Sequence, residues 1–173
     1  QAKCGAALVS PGDLGGSTGL GYADPVCTAE LGHPPASIAD VAECIASRYA
    51  CSASTIYGTE APRAGELRRI AGLPAEGGCL PDYAGDGEGV DDVVQGKALQ
   101  VCSAAITKAA SGFVTKKLAG FTKCVDKVFA CIQTKPNDAA CLAKADAACA
   151  KEAAKIAAAR AKVASPASGA RLR

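Results

Sequence analysis

The chain has 173 residues, and ten of them are cysteines, whereas Trp and Met are absent and only seven residues are Phe or Tyr. Many cysteines and few large apolar side chains favour an oxidising, extracytoplasmic compartment in which disulfides replace part of a core. No apolar run reaches the length of about 18 residues that a membrane-spanning helix needs, so none is predicted.

The net charge of +2 hides an asymmetry along the chain. Residues 1–92 carry 5 Lys/Arg against 13 Asp/Glu, a net −8, whereas residues 93–173 carry 14 against 4, a net +10. The halves should attract each other, either within one chain or between neighbouring copies, and the second possibility predicts a homo-oligomer. A nucleic-acid partner is not expected, because the lysines of the basic half are dispersed without an arginine cluster or interleaved exposed aromatics.

Turn-forming residues dominate the start of the acidic half. Residues 1–36 are rich in Gly, Pro, Ser and Asp, which predicts loops with one short helix at most, held by Cys4 and Cys27. Gln1 follows no charged and apolar leader, as expected of a mature secreted chain. We therefore predict a loop-rich first domain over residues 1–89.

Two helices are predicted within this first domain. Residues 37–40, Ser-Ile-Ala-Asp, have the form of a capping box and predict a helix over about 37–56. Residues 59–62, Thr-Glu-Ala-Pro, then predict a cap with proline in the first turn of a short helix over about 61–71. Gly72 lies just beyond its expected end.

A long helical hairpin is predicted for the basic domain over residues 90–173. Apolar residues recur at spacings of three and four from Leu99 onwards, and no proline interrupts the chain between Val90 and Pro136. A second helix is predicted from Asn137 or Asp138 to about Ala164. The two helices would flank a turn over residues 134–138.

Two disulfides are predicted in this hairpin. In an antiparallel helix pair, the residue numbers of two residues that face each other add up to a nearly constant value, the index sum. This sum is 272 for Cys131 with Cys141 and 273 for Cys124 with Cys149. Cysteines seven or eight apart on one helix are separated by about 10 to 12 Å, too far for a bond within the helix. The pairs Cys131–Cys141 and Cys124–Cys149 follow.

The other six cysteines are expected to pair among themselves, and only Cys44 with Cys51 is excluded, because they lie seven apart on one helix. The index sum places Ala164 opposite residue 109, so residues 91–108 overhang the hairpin and lack a partner helix. Cys102 would anchor a cover for this overhang by pairing with Cys4 or Cys79 of its own chain or of a neighbour. The six cysteines are Cys4, Cys27, Cys44, Cys51, Cys79 and Cys102.

The stretch KCVDKVFACIQTKPNDAACLAKADAAC resembles the disulfide-laddered α-hairpin families, such as twin-CX9C proteins and plant α-hairpinins, although its spacings are CX6C and CX7C. Together with GLGYADPVC, DVAECIASRYAC and EAPRAGELRRIAGLP, it resembles cysteine-rich modules found in tandem in predicted secreted bacterial proteins. The resemblance implies architecture and no activity. In those modules the hairpin precedes the GLGY segment, whereas here it follows, which suggests head-to-tail complementation between copies.

No residue set predicts an enzyme or a cofactor site. His33 is the only histidine and is interpreted as an exposed loop residue, and c-type haem, P-loop and zinc signatures are missing. The one candidate for metal binding is a glycine-rich acidic run that could wrap Ca²⁺, although it lacks EF-hand alternation. The alternative is that Asp91 and Asp92 cap the long helix. The calcium candidates are Asp82, Asp86, Glu88, Asp91 and Asp92.

The hypothesis that follows is a secreted structural protein that assembles head to tail into a filament or other extended assembly. The tail over residues 165–173 has the composition of a disordered end, and we expect a neighbouring subunit to hold it. The alternative hypothesis is a secreted monomer that binds a small apolar ligand or a protein partner. The predicted interface residues are Val94, Val101, Ile106, Arg171 and Arg173.

Overall fold

A computed structural model describes residues 10–22, 25–74 and 78–164. Within these ranges all regular structure is helical, without a strand, and four disulfides connect the chain. The prediction of an all-α, disulfide-stapled fold is confirmed. The predictions for Cys4, for the tail and for its Arg171 and Arg173 lie outside the described residues.

The chain forms two compact units, residues 1–87 and 88–173, and the boundary lies two residues before the predicted one. Among the described residues, four helices belong to the first unit and two to the second. They are α1 (Pro11–Gly15), α2 (Pro25–Leu31), α3 (Ile38–Glu60), α4 (Ala64–Ile70), α5 (Val93–Thr134) and α6 (Ala139–Ala164).

Helix α3 begins at the predicted capping box. The Asp40 backbone N–H donates to Ser37 Oγ at 3.1 Å, and the Ser37 N–H donates to Asp40 Oδ2 at 3.1 Å. The predicted end near residue 56 is wrong, because the helix continues to Glu60 and residues 59 and 60 do not cap a new helix. It stops where Pro62 disfavours the helical conformation of Ala61, and α4 begins only at Ala64.

Two disulfides attach the rest of the first unit to α3. Cys27–Cys44 joins α2 to α3 with Cα atoms 5.5 Å apart, and Cys51–Cys79 joins α3 to the loop after α4 with Cα atoms 5.0 Å apart. Cys44 is fully buried, with 1% of its surface exposed. Since Cys79 is bonded to Cys51, its predicted alternative pairing with Cys102 is wrong.

The loop that carries Cys79 crosses α4 at a glycine. A Cβ atom on Gly65 would lie 2.3 Å from the backbone oxygen of Pro81, so only glycine permits this approach. The small core of the unit forms beside this crossing, where Leu80 and Ala64 are buried. Close backbone contact therefore replaces large side chains in the first unit.

Helix α5 begins at Val93, two or three residues after Val90 or Asp91, where the sequence predicts its start. The reason is that Asp92 is its cap and accepts from the backbone N–H of Val94 at 2.7 Å. Its 42 residues continue through Gly112 and Gly120 for about 60 Å at 1.5 Å per residue. Helix α6 packs against Gly120, where a Cβ atom would lie 2.8 Å from Ile156 Cδ1. No heavy atom lies within 4 Å of such a Cβ at Gly112.

The hairpin contains the two disulfides that the index sum predicts. The Cα atoms are 4.6 Å apart in Cys124–Cys149 and 5.8 Å apart in Cys131–Cys141. At the turn, Asn137 adopts the left-handed conformation with φ of 66°, and Asp138 Oδ1 accepts from the Cys141 N–H at 3.0 Å. Asp138 thus starts α6 as its cap.

Candidate docking surfaces

Glu66 is a buried carboxylate that holds the loop after α4. Arg63 Nη2 donates to its Oε1 at 2.6 Å and Arg63 Nε to its Oε2 at 3.0 Å, while the Gly87 N–H donates at 2.9 Å. Gly85 passes so close that a Cβ there would lie 2.5 Å from Glu66 Cδ. The hydrogen bond from Arg63 is the main reason that the pKa of Glu66 is lowered, against an opposing effect of desolvation.

A second ion pair holds the same loop at its acidic start. Arg69 Nε donates to Asp82 Oδ2 at 2.6 Å, and Asp82 Oδ1 accepts from the Ala84 N–H at 2.8 Å. The hydrogen bond from Arg69 is the main cause of the lowered pKa of Asp82. Ala84 itself adopts a positive φ of 57°. Asp82 therefore organises the loop backbone.

These contacts favour the capping interpretation of the acidic run over the calcium candidate. Among the described residues, no group of three or more His, Cys, Asp or Glu side chains is placed to hold a metal ion. Asp82 is paired with Arg69, and Asp92 caps α5, as the alternative interpretation has it. Of the acidic run, Asp82 therefore anchors the loop and Asp92 caps the helix.

His33 lies exposed in the loop between α2 and α3, as its interpretation from the sequence states. Its Nδ1 is 3.0 Å from the backbone oxygen of Pro34. This contact is local, and its partner is a main-chain carbonyl of the next residue. The geometry orients the ring within its own loop.

The stability of the first unit should fall in acid. Folding lowers the pKa values of Glu66 and Asp82 from their ordinary values of 4.5 and 3.8, so both carboxylates stabilise the folded state above these values. This contribution is lost as the pH falls through the lower folded pKa values. We expect the urea midpoint to fall between pH 6 and pH 2, with a weaker pH dependence in Glu66→Gln.

The control for this experiment is Glu43→Gln, which changes an exposed carboxyl group on α3. It should keep the wild-type pH dependence. Equal slopes of midpoint against pH in Glu66→Gln and wild type would contradict the assignment of acid sensitivity to the Arg63–Glu66 pair.

The hairpin carries an open apolar groove of about 750 Å³ along one side. Phe121 and Cys124 of α5 border it, and Ile156 of α6 lies opposite. The α6 side presents methyl groups, which are too short to fill the space beside the phenyl ring. These alanines are spaced three or four residues apart: Ala150, Ala153, Ala157, Ala161 and Ala164. Sequence reasoning missed the groove, although this alanine stripe was the available signal.

A smaller groove of about 380 Å³ on the hairpin is basic. Each helix contributes two lysines seven residues apart, which places them on one helix face. The one carboxylate in the lining, Glu152, is bonded to a lysine at 2.5 Å, and this hydrogen bond is the main cause of its lowered pKa. The four lysines are Lys116, Lys123, Lys155 and Lys162.

The first turns of α5 expose the interface residues that the sequence analysis singled out. Val94 is 77% exposed, Val101 65% and Ile106 53%. Cys102, among them, is exposed and carries a free thiol. These side chains of the predicted overhang are therefore exposed.

Comparison of the chain with protein-family models, curated proteins and solved structures finds no match. The resemblance to tandem cysteine-rich modules therefore stays a prediction. No helix among the described residues has both the length and the apolar character needed to cross a membrane.

Proposed function

We propose that this protein is a secreted structural protein that associates head to tail, with the acidic unit of one copy docking on the basic unit of the next. The observation that carries this proposal is the opposite charge of the two units. Residues 1–87 hold 5 Lys/Arg and 10 Asp/Glu, a net −5, and residues 88–173 hold 14 and 7, a net +7.

The basic groove of the hairpin is the docking site that fits this charge pattern. The four lysines outnumber the single carboxylate of the groove, Glu152, so an excess of positive charge remains, and carboxylates of an incoming acidic unit would reduce the resulting repulsion. The acidic unit offers exposed carboxylates outside the loop network, such as Glu43. Association that depends on such pairs is screened by salt and should weaken between 0.01 and 0.5 M ionic strength.

The test is negative-stain microscopy of the unreduced protein, with its mass in solution measured alongside. We expect extended assemblies for the wild type at low salt and their loss in the double variant Lys116→Glu/Lys123→Glu. The matched control is Lys97→Glu/Lys144→Glu, which makes the same change in net charge at exposed lysines outside the groove. A wild type that stays at 17.1 kDa at every concentration would overturn the proposal.

The apolar groove favours the second candidate, a monomer that binds a small apolar ligand. Its volume of about 750 Å³ falls within the range of about 300 to 1,000 Å³ of ligand pockets, and its lining is mainly apolar. Binding of a fluorescent apolar probe that is weakened by Ala157→Glu would support this candidate. A solution mass that stays monomeric would then separate it from the assembly proposal.

A further inference from the structure

Two residues of opposite charge on α6 line the apolar groove of the hairpin. Asp146 and Arg160 are both exposed, and neither forms an ion pair or a side-chain hydrogen bond with another described residue. At about 1.5 Å and 100° per residue, they are about 21 Å apart along the helix and about 40° short of four full turns. Both charges therefore lie on the face of α6 that borders the groove.

The middle of this face is made of alanine. Ala153 lies halfway between the two charges, and Ala150 and Ala157 lie on either side of it along the groove. Phe121 of α5 borders the groove at the same level, because the index sum of the Cys124–Cys149 pair places it opposite residue 152. Its side chain is 52% exposed. The centre of the groove thus combines a flat helix surface with a half-exposed phenyl ring.

This arrangement is complementary to itself. Consider a second α6 that lies antiparallel across the groove, with a two-fold axis at Ala153. Asp146 then faces Arg160 of the other copy, and Arg160 faces its Asp146. In the same register, Ala150 faces Ile156 of the other copy. A two-fold axis makes each contact twice, so such a dimer contains two Asp146–Arg160 pairs.

The alanines permit the close approach that these pairs require. Packed helices lie about 8 to 10 Å apart, depending on the side chains at the contact, and small side chains favour the lower value. A small apolar ligand would fill the groove but would leave both charges without a partner. The opposite charges at equal distances from Ala153 are therefore the observation that selects a second copy as the occupant.

We propose that the apolar groove is a symmetric dimer interface, in which the α6 helices of two copies pack antiparallel about Ala153. This inference goes beyond the head-to-tail association, because it uses a different surface. Lys155 of the basic groove and Ala157 of the apolar groove are about 200° apart around α6. The two grooves thus lie on different sides of the hairpin, and both can be occupied at once.

The test exchanges the two charges. Asp146→Arg brings two guanidinium groups together at each end of the interface, and Arg160→Asp does the same with carboxylates. Each single variant should raise the dissociation constant of the dimer about tenfold, because two attractive pairs become repulsive. The double variant Asp146→Arg/Arg160→Asp should restore the wild-type value. An equal mixture of the two single variants should also dimerise, since each then faces its opposite charge.

Sedimentation equilibrium of the full, unreduced chain measures these constants. All variants carry Lys116→Glu/Lys123→Glu, which removes the proposed head-to-tail docking site and leaves the lining of the apolar groove unchanged. We expect a mass of twice 17.1 kDa that falls on dilution. The matched control is Asp126→Arg, which makes the same change in net charge as Asp146→Arg at an exposed residue outside both grooves. It should dimerise as the parent does, and circular dichroism should show equal helix content in all variants.

The outcomes also separate this inference from the proposed function. A parent chain that stays monomeric at every concentration would overturn the dimer, and binding of an apolar probe to that monomer would assign the groove to a ligand instead. Dimers that both single variants leave unchanged, or that the double variant does not restore, would overturn it as well. A wild type that forms this dimer but no extended assembly would support the dimer and overturn the head-to-tail association.

Discussion

Replacing Cys124 and Cys149 together by serine is expected to destabilise the hairpin by about 3 kcal/mol, the typical contribution of a disulfide that closes a loop of this length. The reason lies in the interface between α5 and α6, which is built from small residues. Gly120, Ala145 and Ala159 are buried there, and each buries little apolar area. The disulfides therefore contribute much of the stability that a large apolar core would otherwise provide.

The matched control is Cys131→Ser/Cys141→Ser, which removes the disulfide nearer the turn. It spans 10 residues against 25 for Cys124–Cys149, so its loss should cost less on the loop-entropy account. Urea unfolding followed by circular dichroism measures both, and hydrogen exchange localises the effect to α6. An equal or larger loss in the control would contradict the prediction.

Gly65→Ala is expected to destabilise the first unit by about 3 kcal/mol, at the upper end of the usual cost of overpacking. In an exposed helix interior this change stabilises by about 1 kcal/mol, so the expected sign is reversed. The added Cβ would lie 2.3 Å from the oxygen and 2.8 Å from the carbonyl carbon of Pro81. That backbone cannot retreat freely, because Cys51–Cys79 and Arg69–Asp82 hold it on both sides.

The control for this variant is Gly12→Ala in α1, where the new Cβ would lie 3.6 Å from Ser10 Oγ, an ordinary contact. Its urea midpoint should stay close to that of the wild type. If Gly65→Ala were as stable as Gly12→Ala, the close crossing of the loop over α4 would be wrong.

The hairpin could be predicted in detail because its determinants are local in sequence. Asp138 and the Asn137 turn place the two helices side by side, and the helical repeat then determines which cysteines meet. Helix starts with a side-chain cap were predicted within a few residues, as at Ser37. The predicted end of α3 is too early because residues 59–62, Thr-Glu-Ala-Pro, resemble the start of a new helix, whereas Pro62 instead ends α3.

The pairings of the first unit and the grooves could not be predicted from sequence. Cys27–Cys44 and Cys51–Cys79 depend on how the loops fold back onto α3. These loops have no periodicity in sequence, so several other pairings of the same cysteines are compatible with their spacing. The basic groove depends on which lysines of α5 and α6 face the same side, such as Lys123 and Lys155. The role of Glu66 depends on its burial beneath Gly85, for which its sequence context gives no sign.

The disulfides also determine how the chain responds to a protease. A cut within residues 28–43 or 52–78 leaves both fragments of the first unit covalently joined, through Cys27–Cys44 or Cys51–Cys79 respectively. A cut within residues 125–148 leaves α5 and α6 joined in the same way. A molecule cut within one of these ranges therefore keeps its fragments joined until the disulfides are reduced. Such cuts can accumulate without the release of a fragment.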